Sequence, residues 1–176
     1  MKSTGRTLTL RGTSATFQAT ADYHTENILD YANVLDINKA WKIRWFEVWP
    51  VESLALSFPG SGYELALESI LSTEDIVNIE NRADDNRLIA WSNQSYMTGG
   101  KSVGSTSQGI IGQQIVVDPD HVIQKELNIS FRVLGGTVFE DSNVNVNYIV
   151  YLEEVDITPT ESIMFTIKQS AQSLNE

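Results

Sequence analysis

The sequence predicts an all-β fold, an antiparallel jelly-roll-like β-sandwich of about eight strands with a short C-terminal helix. Three observations predict it. Alternation of apolar and polar residues, the pattern of a strand with one buried face, recurs along most of the chain. Clusters of Gly, Pro, Asn and Asp, which favour turns, separate the alternating segments. A well-formed helix start signal is found near the C-terminus.

Six strands follow from alternation alone, and they cover residues 7–11, 15–20, 41–45, 63–71, 127–133 and 144–153. Two apolar runs, 87–92 and 109–117, fit strands that are buried on both faces. Gly112 within the second run predicts a β-bulge or a close backbone approach. The segments 27–37 and 74–80 are compatible with a strand or with a short helix, so the expected count is eight or nine strands.

The strand WKIRWFEVWP concentrates the aromatic residues of the chain. Strict alternation would place one set on a single face, namely Trp41, Ile43, Trp45 and Trp49. Phe46 and Val48 would then lie on the opposite face. Apolar residues on both faces indicate a central strand of the sandwich or a strand covered by a partner. Core packing is the simplest interpretation, and exposed Trp side chains that stack on sugar rings are the alternative.

The helix signal is formed by Thr158 as N-cap, Pro159 at the first helical position and Glu161 as the capping-box residue. The apolar residues that follow form one stripe at spacings of four, four and three: Ile163, Ile167, Ala171 and Leu174. We expect a helix from about residue 159 to 173, which packs on a sheet or presents its stripe to another subunit.

The segment 93–109 holds four Gly and four Ser among 17 residues, and it is predicted to be a long irregular loop. Loops of this length are functional or are flexible surface connections. Because both flanking strands resemble core strands, we expect an insertion within one domain. This single domain is expected to consist of the arm and first strands (1–21), the sandwich (22–157) and the helix (158–176).

Charge is distributed unevenly along the 176 residues, which carry 12 Lys and Arg against 23 Asp and Glu, a net charge of -11. Such a surface repels nucleic acid and anionic lipid. Residues 1–21 contain Lys2, Arg6, Arg11 and no acid, so this arm carries +3 and the remainder -14 (9 cations minus 23 acids). The arm is predicted to be a slightly basic edge strand or a mobile terminus, with weak or indirect contact to nucleic acid.

Absent features narrow the classes of protein further. There are no cysteines, which excludes disulfide scaffolds, thiolate zinc sites and cysteine nucleophiles. No apolar run approaches the ~18 residues that span a bilayer, and the N-terminus has no apolar stretch of signal-peptide length. We therefore expect a soluble protein without a secretion signal and without membrane insertion.

Catalytic and metal-binding signals are few. The two histidines, His24 and His121, are 97 positions apart, and no nucleophile elbow, zinc-binding helix motif, phosphate loop or EF-hand loop is found. Acidic residues cluster in three places: Asp84-Asp85, Asp118/Asp120 and Glu153-Glu154-Asp156. These fit solvated turns and strand ends, where a divalent cation can bind weakly. We expect no cofactor and no enzymatic activity, and a hydrolase with paired carboxylates is the third hypothesis.

Four features together carry a resemblance to a known family: the arm 1–21, the strand WKIRWFEVWP, the loop 93–109 and the closing strands ELNISFRVLGG and VNVNYIVYLEEVDI. The pattern resembles single jelly-roll capsid proteins of small viruses. That resemblance implies self-assembly through loops and sheet edges, one face of a shell turned inward, and no catalytic residues. The chain lacks the Arg-rich tail of many such capsids, so direct genome packaging by the arm is not expected.

The sequence therefore predicts a structural self-assembling protein, a viral capsid subunit in the virion, that forms homo-oligomers such as a closed shell. Candidate subunit-interface residues are Trp41, Trp45, Trp49, Ile163, Ile167 and Leu174. Candidates for contact with nucleic acid are Lys2, Arg6 and Arg11. The alternative is a carbohydrate- or receptor-binding β-sandwich module that uses Trp41, Trp45, Trp49, Trp91 or Tyr96.

Overall fold

A computed structural model describes residues 1–30, 38–51, 64–76, 79–98, 108–135 and 142–173, and all structural statements refer to these residues. The described residues form ten strands and one helix. They are β1 (Lys2–Thr13), β2 (Phe17–Gln18), β3 (His24–Asp30), β4 (Lys39–Pro50), β5 (Glu64–Ser72), β6 (Leu88–Thr98), β7 (Gln108–Val117), β8 (Glu126–Gly135), β9 (Asn143–Val144), β10 (Val146–Asp156) and α1 (Pro159–Ser173).

The strands form two main antiparallel sheets. One has the order β1-β10-β4, the other has the order β3-β8-β5-β6-β7, and β2 pairs with β9 in a short ribbon. The last long strand lies between the first and the fourth, and β8 lies between β3 and β5, so each sheet is built from strands that are distant in sequence. Crossed connections of this kind between two sheets make a jelly-roll-like sandwich, which confirms the predicted fold class.

The core lies between the inner faces of the two sheets. Its largest fully buried side chains are Phe46, Phe131, Leu65, Leu67, Leu71, Ile89, Ile123, Leu127, Ile129 and Leu152. On β8 the buried Leu127, Ile129 and Phe131 alternate with Asn128 and Ser130, which are paired with β3 side chains on the other face. The period-2 pattern read from the sequence therefore identifies the inner face of this strand correctly.

A β-bulge interrupts the alternation in β4. Opposite β10, Tyr151 pairs with Trp45 but the next residue, Leu152, pairs with Ile43, so Arg44 is an extra residue. Residues after a bulge change face. Phe46 and Val48 consequently continue the buried row that contains Trp41 and Ile43, whereas Trp45 and Trp49 point outward. The expected common face for Trp41, Trp45 and Trp49 is wrong for this reason.

The outer faces are covered in two places. Phe165 of α1 packs on a small cluster whose buried members are Ala40, Val122, Val155 and Ile157. On the other sheet, Ile76 and Ile79 cover Ile70 and Leu88, with Trp91 packed against the group. The described part of segment 74–80 is neither strand nor helix, and it serves as this cover.

The structure corrects the loop prediction at both ends. Residues 93–98 belong to β6, which pairs with β5 on one side and β7 on the other, and residues 108–109 begin β7. The remaining residues, 99–107, lie outside the described residues. A register shift between Ile110 and Gly112 confirms the predicted irregularity in β7. The helix spans Pro159–Ser173 as predicted.

Candidate assembly surfaces

The outer face of the β1-β10-β4 sheet is organised in rows across the three strands. The register places Thr9, Tyr151 and Trp45 in one row. The next rows are Arg11–Ile149–Glu47 and Thr13–Asn147–Trp49. Trp45 and Trp49 are each 43% exposed and Tyr151 is 40% exposed. An aromatic surface therefore lies on the solvent side of this sheet, and we call Trp45, Trp49 and Tyr151 the aromatic face.

Polar contacts hold the aromatic face in place. The indole Nε1 of Trp45 donates a hydrogen bond to Glu47 Oε1 at 2.9 Å. At the bulge, Arg44 forms an ion pair with Glu153, to which Ser3 also donates a hydrogen bond. The Ser3 hydroxyl and the Arg44 guanidinium hold the pKa of the Glu153 carboxyl below its ordinary value. The aromatic face therefore ends at a charged region near the bulge.

A cleft of about 500 Å³ opens beside β4, between that strand and the inner faces of β6 and β7. Its lining combines aromatic and amide side chains: Trp45, Glu47, Val48, Trp49, Gln94, Tyr96, Gln113 and Ile115. The buried Gln94 donates from Nε2 to the carbonyl oxygen of Val48 at 3.0 Å and accepts from the Tyr96 hydroxyl. Burial raises the pKa of Tyr96 to about 12, so this phenol stays protonated and acts as a donor.

A second apolar surface lies on α1. The helix begins with the predicted capping box, in which the Thr158 hydroxyl accepts from the Glu161 amide and Glu161 Oε2 accepts from the Thr158 amide at 2.7 Å. Ile163, Met164 and Ile167 are 61%, 64% and 62% exposed. We call these three residues the helix face. The side chains of the other two residues of the expected stripe, Ala171 and Leu174, lie outside the described residues.

The basic arm is not a free tail, because its residues form β1 at the edge of the three-stranded sheet. Lys2, Arg6 and Arg11 are all exposed. The Arg6 guanidinium lies 3.8 Å from the Glu154 carboxylate, and Lys2 pairs in register with Asp156. Acidic residues of β10 thus partly offset the positive charge of the arm.

The remaining candidate residues occupy structural positions. Trp41 is 8% exposed and belongs to the core, so it is not available at the surface of one chain, which corrects its selection as an interface residue. Of the other residues selected for sugar stacking, Trp91 is half-buried beneath the covering segment and Tyr96 is buried, at 4% exposure. Only Trp45 and Trp49 of that set are exposed.

Within the described ranges, the histidines and acids do not converge on a common site. His24 pairs with Glu26 at 2.9 Å and its ring stacks on Phe17, with centroids 5.1 Å apart, so it fixes the corner between β2 and β3. The buried His121 lies 3.7 Å from Asp118. Among the described residues, no group of three His, Cys, Asp or Glu side chains could hold a metal ion. In the same part of the chain, no helix is long and apolar enough to cross a membrane.

Three residues of these surfaces were not selected from the sequence. Tyr151 lies on the face of β10 opposite its core residues, as alternation predicts. Alternation alone does not indicate whether another subunit covers that face. Met164 directly follows Ile163 in sequence and does not fit the spacings of four, four and three that define the expected stripe. Gln94 resembles a loop residue, and its burial depends on the Val48 carbonyl of the opposite sheet.

The fold has counterparts among solved structures. VP1 of Merkel cell polyomavirus, in complex with 3'-sialyllactosamine, superposes with a TM-score of 0.50 at 9% identity, over 88% of this chain and 97% of that one. VP1 of Trichodysplasia spinulosa-associated polyomavirus, in complex with 3'-sialyllactose, gives 0.46 at 11% identity, over 88% and 96%. An unassembled pentamer of Merkel cell polyomavirus VP1 gives 0.45 at 11%, over 76% and 77%.

The first of these likenesses shows the fold, and it confirms the resemblance to jelly-roll capsid proteins at that level. No protein-family model matches the chain. No curated protein matches it either.

Proposed function

We propose that this chain is a self-assembling structural protein, a capsid subunit that forms homo-oligomers in a virion. The observation that carries the proposal is that a chain of net charge -11 exposes two apolar surfaces, the aromatic face and the helix face. Exposed apolar clusters on a soluble protein are typical of protein–protein contact. Two different surfaces on one chain allow heterologous contacts, which close into rings or shells by symmetry.

The fold supports this role. The polyomavirus VP1 proteins that share it are jelly-roll capsid proteins. Because one fold serves many functions, the fold supports the proposal only together with the exposed surfaces. The carbohydrate-binding alternative is not proposed, since most of the aromatic residues selected for it are buried or covered. The role proposed for the arm is limited to weak contact with nucleic acid, because Arg6 and Lys2 lie beside acids of β10.

Purified full-length protein tests the proposal by light scattering and negative-stain electron microscopy over a range of concentration, salt and pH. We expect oligomers, including rings or shells. Trp45→Gln with Trp49→Gln, and separately Ile163→Gln with Ile167→Gln, should shift the equilibrium toward monomer. The matched control is Val51→Gln, another exposed apolar residue that belongs to neither surface. Protein that stays monomeric under every condition would exclude the proposed function.

A further inference from the structure

Within the described residues, the outer edge of β4 is open between Trp41 and Val48. At Trp41 this edge is closed by Ile123, whose amide and carbonyl exchange hydrogen bonds of 2.7 and 2.9 Å with the Trp41 backbone. At Val48 the carbonyl is taken by the Gln94 side chain. Between these two points no described strand pairs with the side of β4 that faces away from β10, and the cleft of about 500 Å³ lies alongside. Open strand edges are templates for pairing with another chain.

The same sheet has a second edge on its far side, formed by β1. There β1 is bonded to β10 on one side only within the described part of the chain. Both β1 and β4 run antiparallel to β10, so they are parallel to each other. A second copy in the same orientation therefore offers its β1 edge to the β4 edge of the first. Such an addition extends the sheet from copy to copy in a head-to-tail manner.

The chemistry of the two edges is complementary when the existing rows continue. Residues 7–13 of β1 contain a single charged residue, Arg11, and residues 45–49 of β4 contain a single one, Glu47. Both side chains are exposed, and both belong to the middle row of the outer face. In-register addition brings Arg11 of the second copy beside Glu47 of the first. Opposite charges on adjacent strands favour this register over its neighbours.

The flanking rows agree with this register. Trp45 would lie beside Thr9 of the added copy, and Trp49 would lie beside Thr13. Pairs of an aromatic and a β-branched side chain on adjacent strands are favourable. On the inner face, Leu10 of the added copy would lie beside Phe46. Gly12 of the added copy would lie beside Val48, where the Gln94 amide needs space.

We propose that the open edge of β4 binds the β1 edge of a second copy of this chain, with the Arg11–Glu47 pair fixing the register. This inference rests on the proposed function, because it specifies one of the contacts through which the subunits assemble. It also assigns the aromatic face a definite role, since Trp45 and Trp49 would flank the joint between two copies.

Charge reversal in the full-length chain tests the contact. Glu47→Arg alone and Arg11→Glu alone each place like charges at the joint, and each should weaken self-association about tenfold in sedimentation or light-scattering titrations. Glu80→Arg and Lys125→Glu are the controls, since they change the net charge equally at exposed positions elsewhere. Circular dichroism checks that every variant is folded.

Mixing the two weakened variants is the decisive measurement. Every joint between unlike copies then pairs an Arg with a Glu, so the mixture should associate with wild-type affinity and form hetero-oligomers in native mass spectrometry. An effect confined to each chain cannot produce this rescue. If the mixture stays as weak as its components, or if the single reversals match their controls, the β4–β1 contact is excluded while wild-type oligomers still support the proposed function. If wild type never associates, both proposals fail.

Discussion

The bulge at Arg44 makes a quantitative prediction about two neighbouring residues. Phe46 is fully buried between the sheets, whereas Trp45 is 43% exposed and pairs in register with Tyr151 on the solvent side of the sheet. Phe46→Ala should lower the free energy of unfolding by about 3–5 kcal/mol, since it removes buried surface and leaves a cavity. Trp45→Ala should cost about 1 kcal/mol, the size of a cross-strand aromatic pair.

Urea denaturation at a concentration where the chain is monomeric measures the difference. A gap of at least ~2 kcal/mol corresponds to midpoints that differ by about 1 M urea. Simple alternation along β4, without the bulge, would place Trp45 in the core and Phe46 outside. A larger loss for Trp45→Ala than for Phe46→Ala would therefore refute the register assigned to this strand.

Three further predictions concern the elements around the assembly surfaces. A Cβ atom on Gly12 would approach the Tyr148 ring carbon Cζ to 2.7 Å, so Gly12→Ala should destabilise the chain by about 1–3 kcal/mol in thermal or urea unfolding, and Tyr148→Leu should recover part of this loss. Thr158→Ala removes the helix cap and should cost about 0.5–2 kcal/mol, with reduced helical circular dichroism; a loss below 0.2 kcal/mol would contradict the capping role. Because the pKa of Glu153 is lowered on folding, its contribution is present above its unfolded pKa and is lost as the pH falls through the folded value. Unfolding measured from pH 7 to pH 3 should therefore show a weaker pH dependence in Glu153→Gln than in wild type, and equal slopes would show that the hydrogen bond from Ser3 does not stabilise the carboxylate.

Local signals in the sequence were sufficient for much of the fold. The alternation in β8 identifies its inner face, because the side-chain period of a strand does not depend on its partners. The capping box at Thr158 gives the start of α1 correctly, since its hydrogen bonds join residues only three apart. The exposure of Ile163 and Ile167 could not be decided locally, since an apolar stripe does not reveal whether its own chain covers it.

Features that depend on distant partners were missed. The extra residue at Arg44 is visible only in the pairing with β10, more than one hundred positions away, and no Gly or Pro marks it. Asn93 and Gln94 resemble loop residues, yet Gln94 is buried because the Val48 carbonyl and the Tyr96 hydroxyl satisfy its amide. Tertiary hydrogen bonds of this kind override the polar composition that predicted a loop.

The bulge also links the stability of the fold to its proposed assembly. A strand in strict alternation could not bury Ile43, Phe46 and Val48 on one face and present Trp45 and Trp49 on the other. One added residue shifts the alternation by one position, so that each of these apolar residues falls on the face named above. Arg44 itself turns outward to the Glu153 carboxylate. The aromatic face is therefore bounded by an ion pair on one side, and Glu47 lies between the rows of Trp45 and Trp49, which keeps the contiguous apolar area small. This arrangement suits a surface that must leave the free subunit soluble and, in the proposed assembly, becomes buried when a second copy adds to the sheet.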